Sequence, residues 1–397
     1  MARRKYPFRR ILTGGLLLDS KVVDFVTPLI KSYYSKAEGF APPGIAKREF
    51  GFGDYEKKIA FRHYAFKDEA ALRRYMVEKA PPFASYSTAF YQYPDARPME
   101  NKKLLGAELI FDLDSTDLRL PCQQEHGRDW ICDKDLDAIK AETVRLVEDF
   151  LMPDFGFSEK DISINFSGNR GYHVHVNNDQ AYSLSGDARK AVSGYISGTD
   201  MDLQAFFPTI GLKGIGLKGP KPADSGWGGR FAKGLITALD TGVGALESLG
   251  MEPDIARKLF RKRAEIIMGI SVGNWDKVSI PKKAEFWKAI IGNMSIKQSD
   301  SIDSNVTKDM HHLIRMPNTL HGDTALAAKR IASLAELKRF EPMEDAIAFR
   351  EGTVTVSAGK VQKFVMGGAQ FGPYKNERVE VPTYAALYML LKRVATL

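Results

Sequence analysis

The order of apolar and polar positions divides the chain into helical and extended stretches. Residues 20–37 carry the spacing of an amphipathic helix, with Tyr33 and Tyr34 near its end. Two short extended segments follow, Arg48–Phe52 and Ile59–Phe66, the second alternating apolar with polar residues. The clearest strand pattern is residues 107–114, Ala-Glu-Leu-Ile-Phe-Asp-Leu-Asp. Leu136, Ile139, Val147 and Phe150 then share one stripe and predict a helix over residues 136–151. Alternating runs at Asp161–Phe166 and Tyr172–Val176 flank Ser167-Gly168-Asn169-Arg170-Gly171, the pattern of a β-hairpin with a glycine-rich turn. Gly, Pro and Lys crowd residues 211–234, which predicts a loop, and helical patterns run from there over residues 242–293. Extended patterns return at 311–315 and 353–366, and a helix is expected at Tyr384–Thr396. This interleaving predicts an α/β or α+β core, one domain over residues 1–397 with a mostly helical subdomain over residues 182–295.

With 397 residues, 44% hydrophobic and 27% charged, the chain has an ordinary globular composition and length enough for a sizeable core. No apolar run approaches the roughly 20 residues of a membrane-spanning helix. The basic start and the apolar stretch near Ile11–Leu18 faintly resemble a signal peptide. Gly14, Gly15, Asp19 and Lys21 interrupt that pattern, and a cytoplasmic protein is expected. A net charge of +8 suits a polyanionic partner without requiring one. Arg3, Arg4, Lys5, Arg9 and Arg10 either touch phosphates or form a solvated tail. Two cysteines, Cys122 and Cys132, exclude a disulfide scaffold and fall short of the four thiolates of an iron–sulfur cluster.

Asp112 and Asp114 alternate along their strand, so both project from one face about 7 Å apart while Leu109, Phe111 and Leu113 face the core. Carboxylates so placed either hold a hard cation such as Mg²⁺ or Mn²⁺ or terminate the strand in water. The turn at 167–171 offers a hydroxyl, free backbone N–H groups and a guanidinium suited to phosphate oxygens, and it serves equally as a plain hairpin turn. His173 and His175 share one face of the following strand. A third segment, otherwise apolar and extended, brings Asp303, Arg315 and His321 together. Asp300 and Asp309 lie close enough that spacing alone does not single out Asp303. Gly214-Ile215-Gly216-Leu217-Lys218-Gly219 satisfies a dinucleotide-binding pattern, but no strand leads in and Pro220 and Pro222 follow, so a basic loop is expected there.

Taken in order, these segments resemble the small catalytic subunit of archaeal and eukaryotic DNA primases, over most of the chain. Asp112 and Asp114 match that family's D-x-D pair, and Asp303, in Ile302-Asp303-x-x-Val306-Thr307, matches its third metal-binding aspartate. Ser167 to His173 matches the S-G-x-R-G-x-H motif that binds the incoming triphosphate. Arg315 stands where the family has a basic residue, and His321 matches the histidine of an S-x-H element, here with Thr319 in place of serine. Arg48-Glu49-Phe50 and Arg62 resemble its R-E-F segment and a following nucleotide-contacting arginine. His175 replaces a tryptophan found in many members, which implies altered packing.

The resemblance implies a core of mixed sheets flanked by helices, with a zinc-knuckle insertion over residues 115–135. In the loop expected after the D-x-D strand, Cys122, His126, Cys132 and Asp135 are the expected ligands of a structural zinc, with Asp129 an alternative fourth and a metal-free loop with two reduced thiols the other reading. It further implies Mg²⁺- or Mn²⁺-dependent synthesis of short RNA primers from nucleoside triphosphates on single-stranded DNA, with deoxyribonucleotide use left open. Nucleotide binding would fall to Ser167, Arg170, His173, Arg315, His321, Arg62 and Glu49. The implied partner is a large subunit carrying an iron–sulfur cluster, in a nucleoid-associated heterodimer. A repair primase–polymerase acting at DNA ends and a two-metal nuclease are the rival expectations.

Overall fold

The computed structural model describes residues 18–278, except 128, 200, 201, 210, 211, 213 and 214, and residues 303–397. The basic cluster at Arg3–Arg10, Gly214, the helical pattern of 279–293, Asp300 and Ile302 lie outside the described residues.

Two four-stranded sheets form the frame. The first contains β1 (Phe50–Gly53), β2 (Phe61–Tyr64), β3 (Phe83–Ser87) and β9 (Leu313–Arg315), in the order β2-β1-β3-β9. Between β3 and the second sheet, a small ribbon joins β4 (Ala89–Tyr91) to β5 (Leu104–Ala107). The second sheet has β6 (Leu109–Asp114), β7 (Ile162–Phe166), β8 (Gly171–Val176) and β10 (Arg330–Ile331), in the order β10-β7-β8-β6. Every neighbouring pair in both sheets is antiparallel, which makes the fold α+β.

Local chemistry sets the elements. Helix α1 (Ser20–Lys36) starts at Asp19, whose side chain accepts from Lys21 N, and buries Val22, Val26, Ile30 and Tyr34 at helical spacing. Helix α2 (Glu69–Lys79) is capped by Asp68. Where a loop was expected after β6, a short helix α3 (Pro121–His126) precedes α4 (Asp133–Arg145), which runs into a π-helical turn at Leu146–Leu151. The β7–β8 hairpin is tight against β6: a Cβ on Gly171 would stand 1.8 Å from Leu113 O, so only glycine fits.

A run of helices follows: α5 (Asp179–Tyr182), α6 (Gly186–Ser197), α7 (Leu203–Phe206), α8 (Gly226–Thr241), α9 (Val243–Ser248), α10 (Pro253–Arg261) and α11 (Arg263–Ser271). Ile196 of α6 belongs to the main core, whereas Phe207, Phe231, Leu235, Trp275 and their neighbours form a core of their own. The loop expected through residue 234 gives way to helix at Gly226. Gly229 lies inside α8 because a Cβ there would meet Asp224 O at 1.7 Å, so this glycine marks close approach and not irregular chain.

Asp303 and Val306, expected in an extended stretch, open a short helix α12 (Ser304–Lys308) instead. The chain then forms β11 (Thr353–Val361), β12 (Phe364–Met366), β13 (Ala369–Phe371), β14 (Tyr374–Pro382) and β15 (Ala395–Thr396). The last helix covers Thr383–Leu391 and not Tyr384–Thr396. Arg393 turns to a φ of 60°, and Ala395 and Thr396 pair with Ala358 and Ser357. Among the described residues no helix is long and apolar enough to cross a membrane.

Beneath the strand that ends in Asp112 and Asp114 lies a buried polar trio. Arg48 pairs with Glu108, and Glu108 Oε2 lies 2.9 Å from His175 Nδ1. The Arg48 guanidinium also donates to Ser87 O (2.8 Å) and Thr88 O (2.9 Å), with Phe90 3.7 Å beneath it. His175 stacks on Tyr86. The position where many relatives of the resembled family carry tryptophan is thus occupied by an imidazole whose burial is matched by a carboxylate. Removing one partner of such a network strands the others without water, so Arg48→Met should lower the free energy of unfolding by roughly 3–5 kcal/mol in a urea titration. A loss under about 1 kcal/mol would show that Glu108 is hydrated and the network is not sealed.

Candidate active site

The register between β6 and β8 pairs Asp112 with His173 and Asp114 with Gly171. Asp112 Oδ1 lies 3.5 Å from His173 Nε2, and Asp114 Oδ2 lies 3.3 Å from Arg170 Nη2. The other Asp114 oxygen accepts from Thr116 N at 2.9 Å and Thr116 Oγ1 at 2.8 Å. Asp303, far along the chain, is tied to the same strand: its N–H donates to Asp112 O at 3.2 Å. It also caps α12, accepting from Asn305 N at 2.9 Å. The backbone of Asp303 is therefore fastened to the end of β6, near enough for its charge, with that of Asp114, to act on Asp112. The electrostatic consequence appears at Asp112, whose carboxyl is pushed up to about 7 by burial and then by Asp114, Asp303 and Asp117. Carboxylates held against their own repulsion favour a cation among them, and an all-oxygen donor set fits Mg²⁺ or Mn²⁺.

Cationic and imidazole groups surround this acidic end. The 167–171 turn closes on itself, with Ser167 Oγ accepting from Asn169 N (3.3 Å) and Gly171 N (3.2 Å). Ser167 thus shapes the turn that presents Arg170. Arg315, on β9, sits over the Phe83 ring at 5.1 Å, and burial lowers its guanidinium to about 10. His321 packs edge-on against the same ring, and its Nδ1 lies 3.2 Å from Asp323 N, leaving Nε2 as the protonated nitrogen. Burial pushes both His173 and His321 well below the usual imidazole range, so both are neutral donors at pH 7.

Glu49 is fully buried and receives Arg62 Nε at 3.0 Å, His63 N at 3.2 Å and Lys102 Nζ at 3.6 Å. With its oxygens so engaged, Glu49 fixes Arg62 in place.

Two lysines absent from the sequence expectations complete the cationic wall. Lys58 is lowered by burial, with Asp323, Arg315, Arg170 and Asp114 as its charged neighbours. Lys392 is lowered to about 8 by burial and then by Arg170, and donates to Asp129 O (2.9 Å) and Asn169 Oδ1 (3.3 Å).

A second cluster lies on α3 and α4. Cys122 and His126 are four residues apart, on one face of α3. Cys132 is the N-cap of α4 and Asp135 its third residue, joined in a capping box. One ligand atom from each of the four lies within 4.8 Å of the others. Asp135 Oδ2 is 3.1 Å from His126 Nε2, and His126 Nδ1 lies 2.7 Å from Gly127 O, a contact that fixes the ring with Nε2 toward the cluster. Two sulfurs, an imidazole and a carboxylate at this spacing can hold a metal ion. Burial raises both thiols, that of Cys132 to about 12, so a metal must displace protons to bind.

Residues 111–332 match the family model described as DNA primase small subunit. The DNA primase small subunit PriS of Methanosarcina mazei is 32% identical over 418 residues, covering 95% of this chain and 97% of that protein. That of Methanothrix thermoacetophila is 32% identical over 95% of this chain and 99% of its own length, and that of Thermoplasma acidophilum 32% identical over 91% and 97%. The chain belongs to the DNA primase small subunit family.

Within this small subunit, the charge of Asp112 bears on stability. Its folded-state value near 7 lies above the ordinary 3.8, so ionisation opposes folding. The cost is absent below about pH 4, grows as the pH rises toward 7, and is complete at pH 8. Asp112→Asn should therefore stabilise the metal-free protein at pH 8. For a group about a third exposed, the screened gain is on the order of 1–2 kcal/mol. Denaturant titrations from pH 8 to pH 4 should show that gain shrinking steadily. A destabilised variant at pH 8, or a gain indifferent to pH, would contradict the charge cluster.

Proposed function

We propose that this chain is the catalytic subunit of a DNA primase, joining nucleoside triphosphates into a short primer on single-stranded DNA. The observation that carries this reading is that the charges of Asp114 and Asp303 act on Asp112 at one strand end, directly beside Arg170 of the hairpin turn. These three carboxylates would hold Mg²⁺ or Mn²⁺, and the chemistry such ions would supply there is activation of a 3′-hydroxyl and charge neutralisation at the leaving pyrophosphate.

The chain's own groups do the rest by position and charge. Arg170 and Arg315 neutralise phosphate oxygens, while His173 and His321, uncharged, donate single hydrogen bonds. Ser167 holds the turn in shape, and Glu49 orients Arg62 toward the nucleotide. Cys122, His126, Cys132 and Asp135 suit zinc in a structural role, because all four positions of a tetrahedron are taken by protein. A two-metal nuclease would have no use for so many cations beyond the carboxylates. Both cysteines of the chain lie in the zinc cluster, so an iron–sulfur cluster would belong to a separate large subunit. Such a heterodimer would work on the nucleoid, which agrees with the net charge of +8.

Primer synthesis on single-stranded DNA with labelled nucleotides tests the assignment. Asp114→Ala should abolish product in Mg²⁺ and in Mn²⁺ while ATP and DNA still bind, and Arg315→Met should weaken nucleotide binding about 10- to 100-fold. Undiminished synthesis by Asp114→Ala would remove the proposed chemistry from this site.

A further inference from the structure

Helix α3 is six residues long, far below the length at which an isolated helix holds in water. Its one buried side chain is Gln123, a polar one, so no apolar residue anchors it. Three side chains tether it. Cys122 and His126 belong to the metal-ligating cluster, and Gln123 Nε2 donates to Asp135 Oδ1 at 2.9 Å and to Ser115 O at 2.7 Å. Both Gln123 partners are acceptors, which fixes the amide orientation and leaves Oε1 buried without a partner among the described residues. A buried amide held at that cost is oriented for the two bonds it makes.

Those bonds lead to the triphosphate turn. Ser115 N donates to Arg170 O at 3.1 Å, so Asp135, Gln123, Ser115 and Arg170 form one continuous chain of hydrogen bonds. A second link starts at the loop between α3 and α4. Lys392 Nζ donates both to Asp129 O and to Asn169 Oδ1. Asn169 and Arg170 are adjacent residues of the turn, one reached from the α3–α4 loop through Lys392 and the other from the cluster through Gln123 and Ser115.

We propose that Gln123 and Lys392 couple metal occupancy of the Cys122, His126, Cys132 and Asp135 cluster to the 167–171 turn, so that a bound metal tightens the grip on nucleoside triphosphates. The proposal rests on the assignment of that turn to the triphosphate and adds its regulation. With metal bound, α3 is fastened to α4 at two of its three tethers and Gln123 keeps Ser115 in register with Arg170. Without metal, Cys122 and His126 keep only their contacts to Asp135, at 3.5 Å and 3.1 Å, so α3 is held more loosely, Gln123 and the Asp129 carbonyl move more freely, and the turn is less well ordered before a nucleotide arrives.

The test compares zinc-loaded protein with protein stripped by a chelator, zinc release being followed colorimetrically and Mg²⁺ restored afterwards. Two readouts need no synthesis: the Kd for ATP without template, and hydrogen exchange at residues 167–171 without nucleotide. Stripping the wild type should weaken ATP about five- to tenfold and speed exchange in the turn. In Gln123→Ala/Lys392→Met, ATP should bind weakly even with zinc, and stripping should change its Kd by less than about twofold. Lys392→Arg, which keeps a donor and the charge, should retain most of the zinc response and serves as the folding control. An unchanged Kd and unchanged exchange on stripping the wild type would overturn the coupling, as would a full zinc response in the double variant. Loss of ATP binding by the loaded wild type would instead refute the turn as the triphosphate site, and the exchange measurement would still decide the coupling.

Discussion

The pairing register of β6 with β8 is the constraint on which the site depends. Side chains alternate along a strand, so a slip by one residue would turn Asp112 and Asp114 into the apolar core and bring Phe111 and Leu113 to the surface. The slip is forbidden twice over. Leu109, Phe111 and Leu113 are fully buried on the inner side, and Gly171 is the residue against which Leu113 O can close. Packing thereby fixes the place of the carboxylates before any ligand is present.

That rigidity has an electrostatic cost that folding alone does not offset. Two carboxylates about 7 Å apart repel by roughly 2 kcal/mol at an effective dielectric near 20, and Asp303 adds to it. Beneath the strand the opposite holds, since Arg48, Glu108 and His175 satisfy one another out of water. Arg189 is a further buried cation, held by the carbonyls of Leu184, Glu108, Ala107 and Ala181. The charges that support the fold are thus matched within the chain. At the mouth of the site the matching is only partial: Arg170 pairs with Asp114, while Asp112 is crowded by Asp114 and Asp303 and Lys392 by Arg170.

Much of this was legible in the sequence because local pattern carries it. The D-x-D strand and the hairpin announce themselves through alternation, and the candidate metal cluster through the close spacing of Cys122, His126, Cys132 and Asp135, although the same stretch reads as loop where α3 forms. What escaped depends on neighbours remote in sequence. Lys392 meets Asn169 across 223 positions, and Glu49 is saturated by partners that no local pattern reveals. Asp303 was placed in an extended stretch because Val306 and Leu313 suggest one, whereas its capping of α12 is what turns it toward β6. Glycines between 226 and 234 resembled loop because composition cannot tell a glycine needed for flexibility from one needed for clearance.

The smaller core around Trp275, Phe207 and Phe231 is distinct from the one beneath the carboxylates, yet helix α8 serves both, with Trp227 packed into the main core and Phe231 into the smaller one. Cooperative melting follows shared buried surface, so α8 and Phe206, which pack against both cores, are where damage to the helical packing would reach the main one. The stretches of the smaller core away from α8 are accordingly those where substitution or lengthening would disturb the strand carrying Asp112 and Asp114 least.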